Sequence, residues 1–259
     1  MKLGIEGRTA IVCGSSQGLG LACATALSEE GVNVILNGRD EAKLEKAAAE
    51  LRRVAGGQVT AVAADISTRE GQERLVAAAP AADILINNNG GPKPGNFLDY
   101  DLDTWMKAIE ANMIAPLMLT RALLPGMRER RFGRIINITS AMVTTPRPHM
   151  TLSAGTRAGL TAAMKALALD SARFNVTINN LLPERFDTDR QHQMAKAAMA
   201  RENISYEEAR AAQVQSIAAK RLGDPREFGA TCAFLCSAYA GFMSGQNLHL
   251  DGGSYPALI

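Results

Sequence analysis

The hydrophobic and polar positions follow two alternating patterns along the chain. Short runs rich in β-branched residues, such as "TAIVCG" from Thr9 and "VNVILNG" from Val32, are each followed by a longer segment whose apolar positions recur at helical spacing. The short runs are typical of buried parallel strands, and the longer segments predict amphipathic helices. Their alternation predicts an α/β fold, in which helices cover both faces of a parallel sheet.

One polar segment interrupts this alternation. Residues 189–223 are rich in Gln, Ala, Arg and Glu and contain no strand-like run. We expect one or two helices there, projecting over the functional site as a substrate loop; a solvated surface insertion is the alternative. No linker or repeat divides the rest of the sequence, so residues 1–259 are interpreted as a single domain.

Composition narrows the class of protein further. The chain has 259 residues, 47% hydrophobic and 21% charged, with a formal net charge of +2. This composition is sufficient for one sizeable hydrophobic core. The sequence has no cluster of basic residues of the kind that binds nucleic acid. No apolar run approaches the roughly 18 residues of a membrane span, and Glu6 and Arg8 interrupt any signal-peptide pattern. We therefore expect a cytoplasmic protein without nucleic-acid, membrane or metal partners, whose four cysteines are reduced and mostly buried.

A glycine-rich turn between the first strand and the first helix predicts a nucleotide site. In "CGSSQGLG", Gly14, Gly18 and Gly20 are spaced G-x-x-x-G-x-G. Such glycines allow a tight turn and a close backbone approach to a pyrophosphate, which the N-terminus of the following helix attracts. The same letters fit G-x-S-x-G, the nucleophile elbow of hydrolases. Only one strand precedes Ser16, however, and the three histidines supply no obvious base, so the nucleotide site is preferred.

Motifs along the whole chain resemble those of classical short-chain dehydrogenases/reductases, and in pattern the 3-oxoacyl-carrier-protein reductases in particular. "NNNGG" is similar to the family's N-N-A-G, and "LLPERFDTD" to its P-G-x-x-x-T segment, with Glu184 in place of the Gly. The resemblance implies a Rossmann-type doubly wound parallel sheet in three αβα layers, with strand order 3-2-1-4-5-6-7. The cofactor-binding residues that it implies are Gly14, Ser15, Ser16, Gln17, Gly18, Leu19, Gly20, Arg39, Asp65, Ile66, Asn88, Asn89, Gly90, Arg157, Pro183 and Thr188.

The end of the second predicted strand bears on the choice of nicotinamide cofactor. An acidic residue there would bind the ribose 2′-hydroxyl of NAD and repel a 2′-phosphate. The sequence reads Asn37-Gly38-Arg39, with no acid before Asp40, and a guanidinium pairs well with phosphate. We therefore expect NADP(H), with NAD(H) as the alternative.

The catalytic motif departs from the family pattern. The resemblance implies catalytic roles for Asn112 and Ser140, but the family's Tyr and Lys positions fall on Ser153 and Arg157 in "SAGTRAGL". An Arg can still bind a ribose and present positive charge, whereas a Ser hydroxyl is a far weaker acid than a phenol. The four tyrosines lie elsewhere in the sequence. The remaining proton sources are His149, Glu184, and a water held by Ser153, Ser140 and Asn112.

Two kinds of function are compatible with this site. The preferred hypothesis is an NADP(H)-dependent oxidoreductase acting on a carbonyl or alcohol, with a 3-oxoacyl thioester on an acyl carrier protein as one candidate substrate. The alternative is a nucleotide-binding protein without turnover, such as a regulatory subunit; a dehydratase or isomerase is a third class without a positive signal. The resemblance also implies a homotetramer. Independently, "MIAPLMLTRALL" and "AGLTAAMKALALD" carry apolar residues on more than one helix face, which pairing between subunits would bury.

Overall fold

Seven parallel strands form one sheet in the computed structural model, which describes residues 2–258. Their order is β3-β2-β1-β4-β5-β6-β7, and every neighbouring pair is parallel. The doubly wound fold and the strand order predicted from the sequence are therefore confirmed. The strands are β1 Thr9–Val12, β2 Asn33–Gly38, β3 Val59–Ala63, β4 Ile84–Asn87, β5 Gly133–Ile138, β6 Val176–Pro183 and β7 Asn247–Leu250.

Helices cover both faces of the sheet and complete three layers. Successive strand residues point to opposite faces, so in β1 Ala10 and Val12 enter one core and Ile11 enters the other. The first core includes residues of α1, α2 and α9, and the second includes residues of α3, α5 and α6. None of the described helices is long and apolar enough to cross a membrane. The helices are α1 Gly18–Glu29, α2 Glu41–Leu51, α3 Arg69–Ala78, α4 Leu102–Ile109, α5 Ala115–Glu129, α6 Thr151–Ser171, α7 Asp189–Glu202, α8 Tyr206–Val214 and α9 Pro225–Cys236.

The long helix predicted after the fourth strand contains a wider turn that the sequence analysis missed. A π-helical segment, Glu110–Ile114, joins α4 to α5, and Asn112 lies within it. Pro116 has no N–H and cannot donate to the carbonyl of Asn112 four residues earlier, so a regular α-helical ladder is interrupted at this point. Single π turns of this kind frequently accompany functional sites.

The polar segment 189–223 contains two helices, within the one or two expected from the sequence. Helix α7 packs against α8, and α8 begins with a capping box between Ser205 and Glu208. Arg210 on α8 pairs with Asp187, just before α7, at 2.6 Å. These contacts fix the two helices to the segment that follows β6.

All four cysteines are buried free thiols, as the sequence predicts. Cys13 lies directly after β1, and burial raises the pKa of its thiol to about 12. Because a thiol reacts as its thiolate, this cysteine is chemically inert in the folded protein at neutral pH.

Candidate active site

A cavity of about 670 Å³ lies across the carboxyl ends of the strands. It is bounded by Gly38 at the end of β2, Asn88 after β4, Ile138 at the end of β5 and Pro183 at the end of β6. In open α/β sheets this edge, beside the point where the strand order reverses, is where ligands bind. The sequence-predicted residues that line the cavity are Gly14, Ser16, Gln17, Gly18, Leu19, Arg39, Asp65, Ile66, Asn88, Asn89, Gly90, Ser140, Ser153, Arg157, Pro183 and Thr188.

The glycine-rich turn forms a cradle that side chains would fill. Gly14 and Gly18 adopt left-handed backbone angles, with φ of 55° and 61°. A Cβ on Gly20 would lie 2.3 Å from the carbonyl oxygen of Gly14, so only glycine fits there. Helix α1 begins at Gly18, and the side chain of the preceding Gln17 makes no capping hydrogen bond. The first amides of α1 therefore remain available to an anionic group such as a pyrophosphate.

Two of the residues predicted to bind the cofactor do not line the cavity and support the turn. Ser15 is fully buried: its hydroxyl donates to the carbonyl of Val12 at 2.7 Å and accepts from the amide of Asn37 at 2.9 Å. Gly20 is buried against Gly14 and does not line the cavity. Both residues shape the turn, whereas the neighbouring Ser16 faces the cavity.

The end of β2 combines a hydroxyl with an unpaired guanidinium. Ser16 Oγ lies 3.4 Å from the position that a Cβ on Gly38 would take, and Arg39 follows that glycine. Arg39 is exposed and forms no ion pair within the described residues. Asp40, the nearest acid, is occupied as the N-cap of α2, where its carboxylate accepts from the amide of Lys43 at 3.0 Å. No carboxylate of the described residues forms an ion pair with Arg39, so its guanidinium is available to a phosphate.

Asp65 and Ile66 lie beside this end of the cavity, after β3. Asp65 Oδ1 accepts hydrogen bonds from the amide and the hydroxyl of Ser67, at 3.0 and 2.6 Å. Burial acts to raise the pKa of Asp65, but the bonds from Ser67 and the charge of Arg39 outweigh it, so the pKa lies below its usual value. Asp65 is thus a fixed, ionised acceptor beside the cavity.

Ser140 faces the cavity from the segment directly after β5, and Ser153 faces it from α6. Ser140 Oγ accepts a hydrogen bond from the amide of Met142 at 3.2 Å, so its own proton remains available to a ligand oxygen. Ser153 is 4% exposed and lies on the first turn of α6. A serine reaches less far than a tyrosine from that backbone position, which leaves space in the cavity beside it.

Arg157 connects the ends of two strands through neutral oxygens. Its Nη1 donates to the carbonyl of Thr139, after β5, and its Nη2 donates to the carbonyl of Asn89 at 3.3 Å. Nη2 also donates to Oδ1 of Asn112 at 3.2 Å. Burial and, secondly, repulsion from Arg190 lower the pKa of the Arg157 guanidinium to about 10, so it remains a cation at neutral pH. Asn112 does not line the main cavity and contacts the site through Arg157.

The two side chains considered as proton sources have different surroundings. The Glu184 carboxylate, 5% exposed, pairs with Arg147 at 2.7 Å and with Arg185 at 3.5 Å. It therefore has an ion-pairing role at the cavity wall. His149 also lines the cavity and is exposed, so its ring is accessible to solvent and ligand.

Several cavity residues were missed by the sequence analysis. A carboxylate in place of a family glycine at Glu184 was a signal that cationic partners would be needed, but only folding shows that they are Arg147 and Arg185. Others lie in loops or in the expected substrate loop 189–223, and nothing in the sequence says which of their side chains meets the cavity. These residues are Gly91, Pro94, Met142, Met150, Asp189, Arg190, Gln191 and Met194.

The fold and the cleft define a Rossmann-type α/β protein with a nucleotide-type turn at the switch point of its sheet. The family model "short chain dehydrogenase" matches residues 8–199. The chain belongs to the short-chain dehydrogenase family.

Individual relatives cover nearly the whole chain. An uncharacterized oxidoreductase, YvaG, of Bacillus subtilis is 34% identical over 258 residues, with 98% of both chains covered. The 3-oxoacyl-[acyl-carrier-protein] reductase FabG of Vibrio cholerae is 32% identical, with 98% of this chain and 99% of that protein covered. The structure of L-sorbose reductase from Gluconobacter frateurii, complexed with NADPH and L-sorbose, superposes with a TM-score of 0.94 at 30% identity and covers 100% of both chains. Chains similar to this one are therefore oxidoreductases.

Proposed function

We propose that the chain is an NADP(H)-dependent oxidoreductase that interconverts a carbonyl and an alcohol on a small molecule. The proposal depends chiefly on one observation: a single cavity is lined both by the glycine turn and by Ser140, Ser153 and Arg157. A nicotinamide cofactor supplies or accepts the hydride when bound, and the protein contributes position and charge. Family membership and the NADPH-bound relative support the same reaction class.

The proposed cofactor contacts follow the cavity wall. The amides at the start of α1 face the pyrophosphate, Asp65 and Ile66 face the adenine, and Thr188 covers the turn from the other side. A Cβ on Gly18 would lie 3.9 Å from Thr188 Cγ2, so the gap between them is narrow. The 2′-phosphate of NADP(H) is assigned to Arg39 with Ser16, because Arg39 forms no ion pair within the described residues and Ser16 lies against Gly38, the residue before it.

The proposed catalytic groups differ from the family pattern at two positions. We assign Ser153 and Arg157 to the places of the family's Tyr and Lys. Ser140 donates its hydroxyl proton in a hydrogen bond to the substrate oxygen. Arg157, held in place by Asn112, contacts the ribose and stabilises negative charge that develops on that oxygen.

Proton delivery in this scheme falls to His149 or to water. The carboxylate of Glu184 is already paired with two guanidinium groups, so it is assigned an ion-pairing role and not proton delivery. His149 carries an imidazole, which can donate and accept protons, and it faces the cavity. The space beside Ser153 admits a water that can relay the proton. His149→Gln should change the pH profile of kcat if the imidazole acts directly, and should leave it unchanged if water acts alone.

Titration with NADPH and NADH, followed by a carbonyl panel read at the nicotinamide absorbance, tests the proposal. The panel should contain aldehydes, ketoses, oxo acids and a 3-oxoacyl thioester. We expect tighter binding of NADPH and turnover of at least one carbonyl. Ser140→Ala should lower kcat by about 100-fold or more, as expected for loss of a hydrogen bond to the developing oxyanion. Cofactor binding without turnover on any carbonyl would contradict the proposal.

A nucleotide-binding protein without turnover is the second candidate. The observation that favours it is that no tyrosine lines the cavity among residues 2–258. Loss of a general acid typically lowers a rate by about 100- to 10,000-fold. The turnover measurement above distinguishes the two candidates, because both require cofactor binding and only one requires hydride transfer.

The substrate-loop role of residues 189–223 and the assembly are further proposals. Helix α7 lines the cavity with Asp189, Arg190, Gln191 and Met194, which suits a cover over the substrate. A homotetramer would bury apolar side chains that are exposed in one chain, among them Leu169 at 72% and Phe242 at 105%. Light scattering at micromolar concentration tests it, and a stable monomer would contradict it. An acyl carrier protein is a further candidate partner. Turnover of the 3-oxoacyl thioester in the carbonyl panel would support it.

A further inference from the structure

Two guanidinium groups meet at a glycine on the cavity wall. A Cβ built on Gly91 would lie 3.2 Å from Nη2 of Arg157 and 3.5 Å from Nη1 of Arg190. The two nitrogens are therefore no further apart than the sum of these distances. Gly91 follows the "NNNG" segment after β4, and Arg190 lies on the first turn of α7. Because Gly91 has no side chain, no atom of this residue fills the position between the two like charges.

No carboxylate of the described chain neutralises this pair of charges. Glu184, the buried acid nearby in the sequence, is paired with Arg147 and Arg185. Three N–H groups of Arg157 donate to neutral oxygens, and the Arg190 side chain makes no hydrogen bond or ion pair with a described residue. Like charges this close repel each other, and repulsion from Arg190 is one cause of the lowered pKa of Arg157. An anion between them would remove that repulsion.

The space lies on the substrate side of the cavity. The pyrophosphate position is set by the start of α1, beside Gly14, where the Asn88 side chain donates to the Gly14 carbonyl at 3.0 Å. Gly91 lies three residues further along the loop. Arg157 binds the carbonyl of Thr139, the residue directly before Ser140, and lies one helical turn after Ser153. An anion at Gly91 would thus be a near neighbour of the reacting carbonyl.

We propose that Arg157 and Arg190 bind a carboxylate of the substrate over Gly91, so that the substrate is an oxo acid or its hydroxy acid. The inference rests on the proposed oxidoreductase function and names the substrate class for it. Arg190 supplies the hydrogen bonds, since its whole fork of N–H groups is available, and Arg157 supplies mainly charge.

The test compares binding of acids with that of their neutral esters. The NADPH-loaded protein is titrated calorimetrically with pyruvate, acetoacetate and levulinate, and with the methyl ester of each, at constant ionic strength. These probes place the carboxylate at three distances from the ketone and remove its charge with little change in shape. Arg190→Gln and Gly91→Ala are compared with the wild-type protein. Arg201→Gln, on the far end of α7 and paired only with Glu202, is the matched control.

We expect at least one acid to bind about tenfold or more tightly than its ester, as a hydrogen bond to a charged group implies. Arg190→Gln should abolish that preference, Arg190→Lys should restore part of it, and Arg201→Gln should preserve it. Gly91→Ala should weaken the acid and leave the ester unchanged, because its methyl group enters the space between the guanidiniums.

Two results would overturn the inference. Acids that bind no more tightly than their esters would remove its basis, as would a preference that survives Arg190→Gln. If Arg190→Gln weakened NADPH and left the acid-to-ester ratio unchanged, the anion held by this pair would be the cofactor's phosphate. A charge-dependent binding without any change in nicotinamide absorbance would support the carboxylate site while contradicting the oxidoreductase function, so the two failures are distinguishable.

Discussion

Replacing Arg39 by Ala should separate the two nicotinamide cofactors. Arg39 is exposed at the end of β2 and pairs with no carboxylate in the described chain, so its removal leaves no buried partner unsatisfied and should not affect folding. A hydrogen bond to a charged group contributes about 1.5–3 kcal/mol, and exposure to solvent favours the lower end of that range. A loss of about 1.4 kcal/mol corresponds to a tenfold higher Kd. We therefore expect NADPH to bind roughly tenfold more weakly, and NADH to bind as before.

Fluorescence titration of both cofactors measures this difference directly. Displacement of NADPH by 2′,5′-ADP and by 5′-AMP gives a second readout, since these fragments differ in the 2′-phosphate. Arg53→Ala, an exposed arginine after α2, is the matched control. An equal loss for both cofactors, or an unchanged Kd for NADPH, would refute the assignment of the 2′-phosphate to Arg39 and Ser16.

Three further predictions concern catalysis and stability. The double variant Ser153→Tyr/Arg157→Lys should raise carbonyl reduction by about 100-fold or more, the effect of a general acid; no gain in kcat would show that the pocket no longer accommodates a phenol there. Arg134→Met should lower the free energy of unfolding by about 3 kcal/mol, because the buried guanidinium donates to the carbonyls of Ser237, Gly133 and Asn175. A urea titration against the exposed control Arg74→Met measures this loss, and equal stability of the two variants would contradict the reasoning. Burial raises the pKa of Cys13 from 9.0 to about 12, so the contribution of this thiol to stability is complete below pH 9 and is lost as the pH rises towards 12. Cys13→Ala should reduce the loss of unfolding free energy between pH 9 and 12, and an unchanged pH dependence of stability would contradict this prediction.

The order of strands and helices followed from the sequence because its causes are local. Each strand carries a run of residues for two buried faces, and each helix repeats its apolar positions with the period of one turn. The glycine turn is equally local, since the backbone at Gly14 and Gly18 requires glycine in any context. The same reasoning predicted one continuous helix and missed the wider turn that contains Asn112. That turn packs against α6, which comes much later in the sequence.

The chemistry of the site was decided by the tertiary structure. The sequence could not separate Ser15 from Ser16, although only one of these neighbours faces the cavity and the other is bonded into the sheet. It offered Glu184 as an acid, and folding placed two arginines against its carboxylate. It identified Arg157 but gave no indication of Arg190, 33 positions later, on the opposite side of Gly91. The sequence alone determined which residue types are present at each strand end. The charged groups that surround each of these residues come from loops and helices in distant parts of the chain. Their distances, and so the strength of their electrostatic interactions, are set only by the folded packing.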